Sequence, residues 1–336
     1  MKPMKQQIGI AVFMIILTFV GFGLLLWLGG PAEPPTMQGI TQAFRAVDYS
    51  DAPEPMQFAT RNGDKLAYRH YLPAQSSPSV QGSVVLVHGS SATSKSMHPL
   101  ANALAAAGNS VYSLDIRGHG ASGAKGHIDY VGQLENDLSD FVKQVHPPQP
   151  STLAGFSSGG GFVLRYAASA EAKAFQSFLL LSPFVHQSAP TQRENSGGWV
   201  RVGVPRLILL QALNGMGLSQ LNHLAVTRFA IDEANRDLLT RSYDFNLTAN
   251  FRPRDDYQTS IRAVTQPLMV LAGDEDEAFY TEHFADVFSG SPGLIGVKLL
   301  PGIDHAGLIL QPDALQQAVA AVSKLRAPKI QADVKP

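Results

Sequence analysis

The chain has 336 residues, 45% of them hydrophobic and 16% charged, with a formal net charge of −1. That is enough chain for a large core, and charge so balanced and dispersed excludes an electrostatic footprint for nucleic acid. Cysteine is absent, which excludes disulfides, thiolate metal sites and thiol catalysis without fixing the compartment.

The first element is apolar throughout. From Ile8 to Leu28, 21 residues carry no charge. As a helix this run extends about 31 Å, enough for a hydrocarbon core of about 30 Å. Lys2 and Lys5 precede it and Trp27 stands at its far end, as in a transmembrane helix with a cytoplasmic N-terminus. A cleaved signal peptide is the alternative, but its apolar region runs about 7–15 residues, and GGPAEPP offers no A-x-A-like site. Either reading exports the rest of the chain, to the periplasm or the cell exterior. Residues 1–30 are therefore expected to anchor the chain. Residues 31–55, rich in Pro, Gly and small polar residues, read as a linker.

Between 56 and 326 the pattern is that of one α/β domain. MQFATRNGDKLAYRHYLP alternates around Asn62-Gly63 and predicts a hairpin. GSVVLVHGS is a short β-branched run, typical of a strand buried on both faces. MHPLANALAAAG predicts a helix ending at Gly108, SVYSLDIRGHG a second buried strand, and YVGQLENDLSDFVKQV an amphipathic helix closed by Pro147-Pro148. STLAGFSSGGGFVLRYAASA reads strand, sharp turn, helix, and FQSFLLLSPF is another strand. The rhythm breaks from about 186 to 257, where apolar helical pieces such as PRLILLQALNGMG predict a helical insertion. It resumes with PLMVLAGDEDE, TEHFADVF, GVKLLPGIDH and a closing helix from Pro312. The alternation predicts a doubly wound, mostly parallel sheet, and residues 327–336 read as a disordered tail.

The chemistry centres on Gly155-Phe156-Ser157-Ser158-Gly159. A serine exposed on a tight strand-to-helix turn needs small neighbours, because the backbone there is strained and crowded. Its hydroxyl is a poor nucleophile until a base, oriented by a third group, removes the proton. In this strand–turn–helix arrangement the acid and then the histidine follow the serine in the chain. His305, just past a strand, fits the base. Asp274, Glu275 and Asp276 are all placed to be the acid, whereas Asp304 adjoins the base and would point away from its ring. The oxyanion needs backbone N–H donors. Ser158, at a helix N-terminus, and Ser90, in the loop after the first buried strand, are the candidates. His119, His127 and Asp129 lack metal-ligand spacing and read as structural, and Asp115 as the cap of a turn. No cofactor or metal is implied.

With these residues placed, LVHGSS, LDIRGHGASG, LAGFSSGGG, VLAGDEDEAF and LLPGIDHAGL, in this order, resemble the α/β-hydrolase superfamily. The likeness is closest to its lysophospholipase, monoacylglycerol lipase and serine-aminopeptidase-like branch, and it covers about Met56 to Leu325. It implies an α/β-hydrolase fold with a cap at 186–257. It also selects Asp276, the Asp of a G-x-x-D, as the acid, and assigns Ser90 and Ser158 as oxyanion donors. A serine at position 157 separates the chain from the dehalogenase and epoxide hydrolase branches, which use Asp there. The soluble members lack the N-terminal apolar segment. The resemblance implies a serine esterase that acylates Ser157, acting on lipid-like acyl esters of the lysophospholipid or monoacylglycerol type. The alternatives are a serine aminopeptidase for small peptides and a non-catalytic binding protein on the same fold. The apolar run Pro205 to Leu213 is expected to line the pocket mouth, with Leu209 as its test position.

Overall fold

The computed structural model describes residues 2–35, 37, 43–74, 81–232, 235 and 238–327. Eleven strands are named: β1 Met56–Ala59, β2 Lys65–Tyr71, β3 Ser83–Val87, β4 Ser110–Leu114, β5 Ser151–Phe156, β6 Ser177–Leu181, β7 Val200–Val202, β8 Ala225–Phe229, β9 Ser242–Asp244, β10 Leu268–Gly273 and β11 Leu294–Leu300. The helices used below are α1 Lys2–Leu28, α2 His98–Ala106, α3 Gln133–Val145, α4 Ser158–Ala167, α5 Val204–Gly215, α6 Phe245–Asn250, α7 Tyr257–Ala263, α8 Phe284–Phe288, α9 Gly307–Leu310 and α10 Pro312–Arg326.

The main sheet runs β1-β2-β4-β3-β5-β6-β10-β11. The β1–β2 hairpin and its pairing with β4 are antiparallel, and every later pair is parallel. All five residues of β3, β4 and β6 are buried, as strands covered on both faces require. The period of two sorts them. Val85 and Val87 join one core with Leu134, Phe141, Phe162 and Phe284. Val84 and Leu86 join the other with Leu100, Leu104, Ala318 and Val322. Thus α3, α4 and α8 cover one face, and α2 and α10 the other. From β3 the chain moves to β4 on one side, and later to β5 on the other. Ligands of such sheets bind at this reversal, beyond the carboxyl ends of the strands.

The insertion between β6 and α7 departs from the helical cap the sequence suggests. It contains α5 and α6, but also an antiparallel sheet, β7-β8-β9. Its strands are short and far apart in the chain, so their period is hard to read, while α5 has the Pro at its start that marks a helix.

The N-terminal segment is one helix, α1, with Ile10, Phe13, Leu17, Trp27 and Leu28 exposed. Among the described residues no helix is long and apolar enough to cross a membrane. The expected transmembrane helix is therefore not supported by the structure. In 31–55, the described residues lie against the domain. Glu33 pairs with Arg228 and Arg241, Arg45 with Asp232, and Asp51 Oδ1 lies 3.0 Å from His98 Nε2. Of the expected tail, 328–336 lies outside the described residues.

One buried ion cluster fixes the loop after β4. Arg117 grips Asp137 of α3 with Nε and Nη2 at 2.7 and 2.8 Å, and its Nη1 reaches Asp64 in the β1–β2 turn at 2.7 Å. Arg117→Leu leaves a buried carboxylate uncompensated, at a cost of about 3–5 kcal/mol. Thermal denaturation should show the midpoint falling by roughly 6–20 °C, with much of the loss regained in the double variant Arg117→Leu/Asp137→Leu.

Candidate active site

The turn between β5 and α4 sets the geometry. Ser157 has φ 55° and ψ −121°, a conformation disfavoured for any residue with a Cβ. The surroundings enforce it. A Cβ on Gly159 would lie 2.3 Å from the His88 carbonyl oxygen, and one on Gly155 would lie 2.3 Å from that of Gly159. Only glycine lets α4 approach β3 and β5 this closely. Ser157 N–H donates to Leu181 O at 2.9 Å, and its own carbonyl accepts from Phe184 N–H at 3.0 Å.

The loops after β10 and β11 meet beside it. Asp274 and Glu275 are exposed, whereas Asp276 is 2% exposed. Asp276 Oδ2 lies 2.8 Å from His305 Nδ1, and Oδ1 accepts the N–H groups of Ala278 and Phe279 at 2.8 and 3.0 Å. The other acids hold backbone: Asp274 accepts from Gly302 N–H, Asp304 from Gly307 N–H, and Glu277 from His305 N–H. Phe156 and Phe279 flank the imidazole, with centroids 4.7 and 5.4 Å away. Burial opposes a proton on His305, but the Asp276 charge and its hydrogen bond outweigh burial and hold the pKa above 6.5. Burial likewise opposes charge on Asp276, yet the same partner keeps its carboxyl below the usual value. The pair therefore favours an imidazole with Nδ1–H on the carboxylate, leaving Nε2 to exchange a proton.

The loop after β3 adjoins the serine. A Cβ on Gly89 would sit 3.3 Å from Ser157 Cβ, so Ser90 lies one residue from that contact. Ser90, Ser157, Ser158 and His305 all line one cavity. Ser158 N–H, in the first turn of α4, has no intrahelical acceptor. Trp199 Nε1–H donates to Ser90 Oγ at 2.9 Å. Ser91, at φ 67°, donates its N–H to the Tyr243 hydroxyl at 2.5 Å. That hydroxyl lies 2.6 Å from His119 Nε2, and His119 Nδ1 faces the carbonyls of Ile116 and Arg117. Burial holds the pKa of His119 well down and that of His88 down. A neutral ring fits the bonds of both: His88 donates from Nδ1 to Gly89 O and accepts Ile116 N–H at Nε2.

The loop of residues 117–120 is thus a rigid turn, with Asp115 accepting from Ser94 and Ala121 N–H. His127 lies 2.6 Å from Asp244 of β9 and serves the junction between cap and core. Tyr243 and Trp199 were not legible as site residues. Their contacts span 152 and 109 positions, and neither stands in a motif. Arg252 lines the cavity as well.

The cavity measures about 1780 Å³, against about 300–1,000 Å³ for ordinary small-molecule sites. Its cap side carries Val202, Val204, Leu207 and Ile208. Leu209 does not line it. Leu209 is 7% exposed and Leu210 fully buried, the latter packed on Val226 and Phe245. The expectation for the Pro205–Leu213 run therefore holds for Leu207 and Ile208 and moves away from Leu209.

A family model described as Hydrolase_4, serine aminopeptidase, S33, matches residues 78–308. A monoacylglycerol lipase of Mycolicibacterium smegmatis is 37% identical over 122 residues, 33% of this chain; the chain spans 40% of the length of that relative. Among solved structures, a soluble variant of monoglyceride lipase from Saccharomyces cerevisiae superposes with TM-score 0.62 at 20% identity, over 84% of this chain and 97% of its own. A membrane phospholipase A described as a bacterial virulence factor has TM-score 0.58 at 15% identity, over 95% of this chain and 99% of its own. At these identities the structures establish a shared fold.

The His305–Asp276 geometry predicts a pH profile. To act as a base His305 must be neutral, so kcat/KM is expected to fall as pH drops through its raised pKa. In Asp276→Asn the raising charge is gone and burial prevails, so this limb should move to lower pH while kcat falls roughly 10⁴-fold. Asp274→Asn and Glu275→Gln should change little. A crippled Asp274→Asn enzyme would contradict the assignment.

Proposed function

The chain belongs to the Hydrolase_4 family, and from that membership we propose that it hydrolyses lipid-like carboxylic esters, of the monoacylglycerol or lysophospholipid type, through an acyl-enzyme on Ser157. The observation that carries this reading is the large, apolar-walled cavity on which Ser157 and His305 both open.

In this mechanism His305 Nε2 takes the Ser157 Oγ proton as Oγ attacks the ester carbonyl. The oxyanion forms against the N–H groups of Ser90 and Ser158, each worth about 3–4 kcal/mol in such sites. Asp276 holds the ring and balances the imidazolium. Collapse returns the proton to the departing alcohol oxygen. Water, deprotonated by the same nitrogen, then attacks the acyl-enzyme, and that proton passes to the departing Ser157 Oγ as the acid is released. The rigid 117–120 turn and Tyr243 keep the Ser90 loop in place.

The proposal extends to location. The uncharged 8–28 run behind Lys2 and Lys5 supports export of the catalytic domain out of the cytoplasm.

Fractionation of expressing cells should find the activity outside the cytoplasm. On p-nitrophenyl esters, kcat/KM should climb from acetate through octanoate, because each buried CH₂ contributes about 0.8 kcal/mol. Ile208→Asp should flatten the climb and spare acetate. If amino-acid arylamides outpace every ester, the family's peptidase chemistry is the right reading and the ester proposal fails.

A further inference from the structure

Arg206 sits in the first turn of α5, where a helix dipole disfavours a cation. Its placement is explained by a different helix. Nε donates to Leu26 O at 2.7 Å and Nη2 to Trp27 O at 3.0 Å, both carbonyls of the last turn of α1. There a cation meets the negative end of the dipole and carbonyls left without intrahelical donors. Nη1 donates to Ala225 O of β8 at 2.7 Å, and the Arg206 N–H reaches Gly29 O at 3.3 Å. One side chain thus joins the end of α1, the start of α5 and the cap sheet.

The backbone is built for this joint. A Cβ on Gly30 would stand 2.6–2.7 Å from the guanidinium, and one on Gly203 would stand 2.6 Å from Gly29 O. Leu26 packs on the cluster of Leu210, Val226 and Phe245 beneath α5. The residues after Arg206, Leu207 and Ile208, line the cavity, whereas Arg206 itself does not.

We propose that Arg206 is a positioning residue: by gripping the end of α1 it sets the rotation of α5 that presents Leu207 and Ile208 to the substrate's acyl chain. The inference rests on the acyl-ester reading of the site. It makes the end of α1 part of the acyl-binding wall, so that the N-terminal helix does more than hold the chain in place.

The test uses the full-length protein in detergent micelles, with p-nitrophenyl acetate and octanoate as substrates and a fluorophosphonate to count active sites. Arg206→Ala should raise KM for octanoate about tenfold, the effect of losing roughly 1.4 kcal/mol of binding, and leave octanoate kcat, acetate kinetics and probe labelling unchanged. Arg206→Lys, which keeps the charge and reaches fewer carbonyls, should recover part of the loss. Gly30→Ala displaces the guanidinium without deleting it and should reproduce the phenotype, non-additively with Arg206→Ala. A parallel fall on acetate would mean general damage and overturn the proposal, as would an unchanged octanoate KM in both variants. A wild-type enzyme without chain-length preference would remove the acyl-ester reading itself, whereas a preference that survives both substitutions removes the role of Arg206 alone.

Discussion

The site depends on one strained backbone conformation, that of Ser157 at φ 55°. Such a residue costs about 1–3 kcal/mol and persists only where its surroundings leave no alternative. Here the constraint is steric on one side and hydrogen-bonded on the other. At Gly155 and Gly159 the backbone of α4 meets that of β3 and β5 too closely for a Cβ. Leu181 O and Phe184 N–H hold the peptide groups that flank the serine. The fold's stability, invested in β3, β5 and β6, is what keeps this hydroxyl at the cavity that Ser90, Ser158 and His305 also line.

The second constraint is the fixing of the Ser90 loop by groups far from it in sequence. Tyr243 from the cap and His119 from the 117–120 turn form a buried chain of hydrogen bonds to Ser91 N–H. Buried polar groups are stabilising only when every member is satisfied. The neutral rings of His88 and His119 meet that condition, each donating at Nδ1 and accepting at Nε2. The cap is therefore tied to the core at the loop that borders Ser157, and tied to α1 through Arg206.

Much of this architecture was legible because it is locally encoded. Strand β3 announces itself as a β-branched run and β6 as a short apolar one, each buried on both faces, and the Gly155–Gly159 turn declares its own crowding. Among Asp274, Glu275 and Asp276 the residues alone left the acid open. The family resemblance pointed to Asp276, and the structure places it on His305, 2.8 Å away. What stayed hidden depends on contacts between distant segments. The three-residue strands β7 and β9 show no period. Tyr243 reads as an ordinary core aromatic, and nothing in the Pro205–Leu213 run distinguishes Leu209, which packs inward, from Ile208, which faces the cavity. The Pro- and Gly-rich stretch after α1 looks like free tether, because the partners of Glu33 and Arg45 lie some two hundred residues away.

The nucleophile is tested most directly by covalent capture. The full-length protein is treated with a fluorophosphonate, digested, and the modified peptide located by mass spectrometry. Modification should fall on Ser157 alone, and Ser157→Ala should stay unlabelled with its fold intact by circular dichroism. Labelling of Ser157→Ala at the wild-type rate, or modification centred on Ser90 or Ser158 in the wild-type protein, would contradict the assignment.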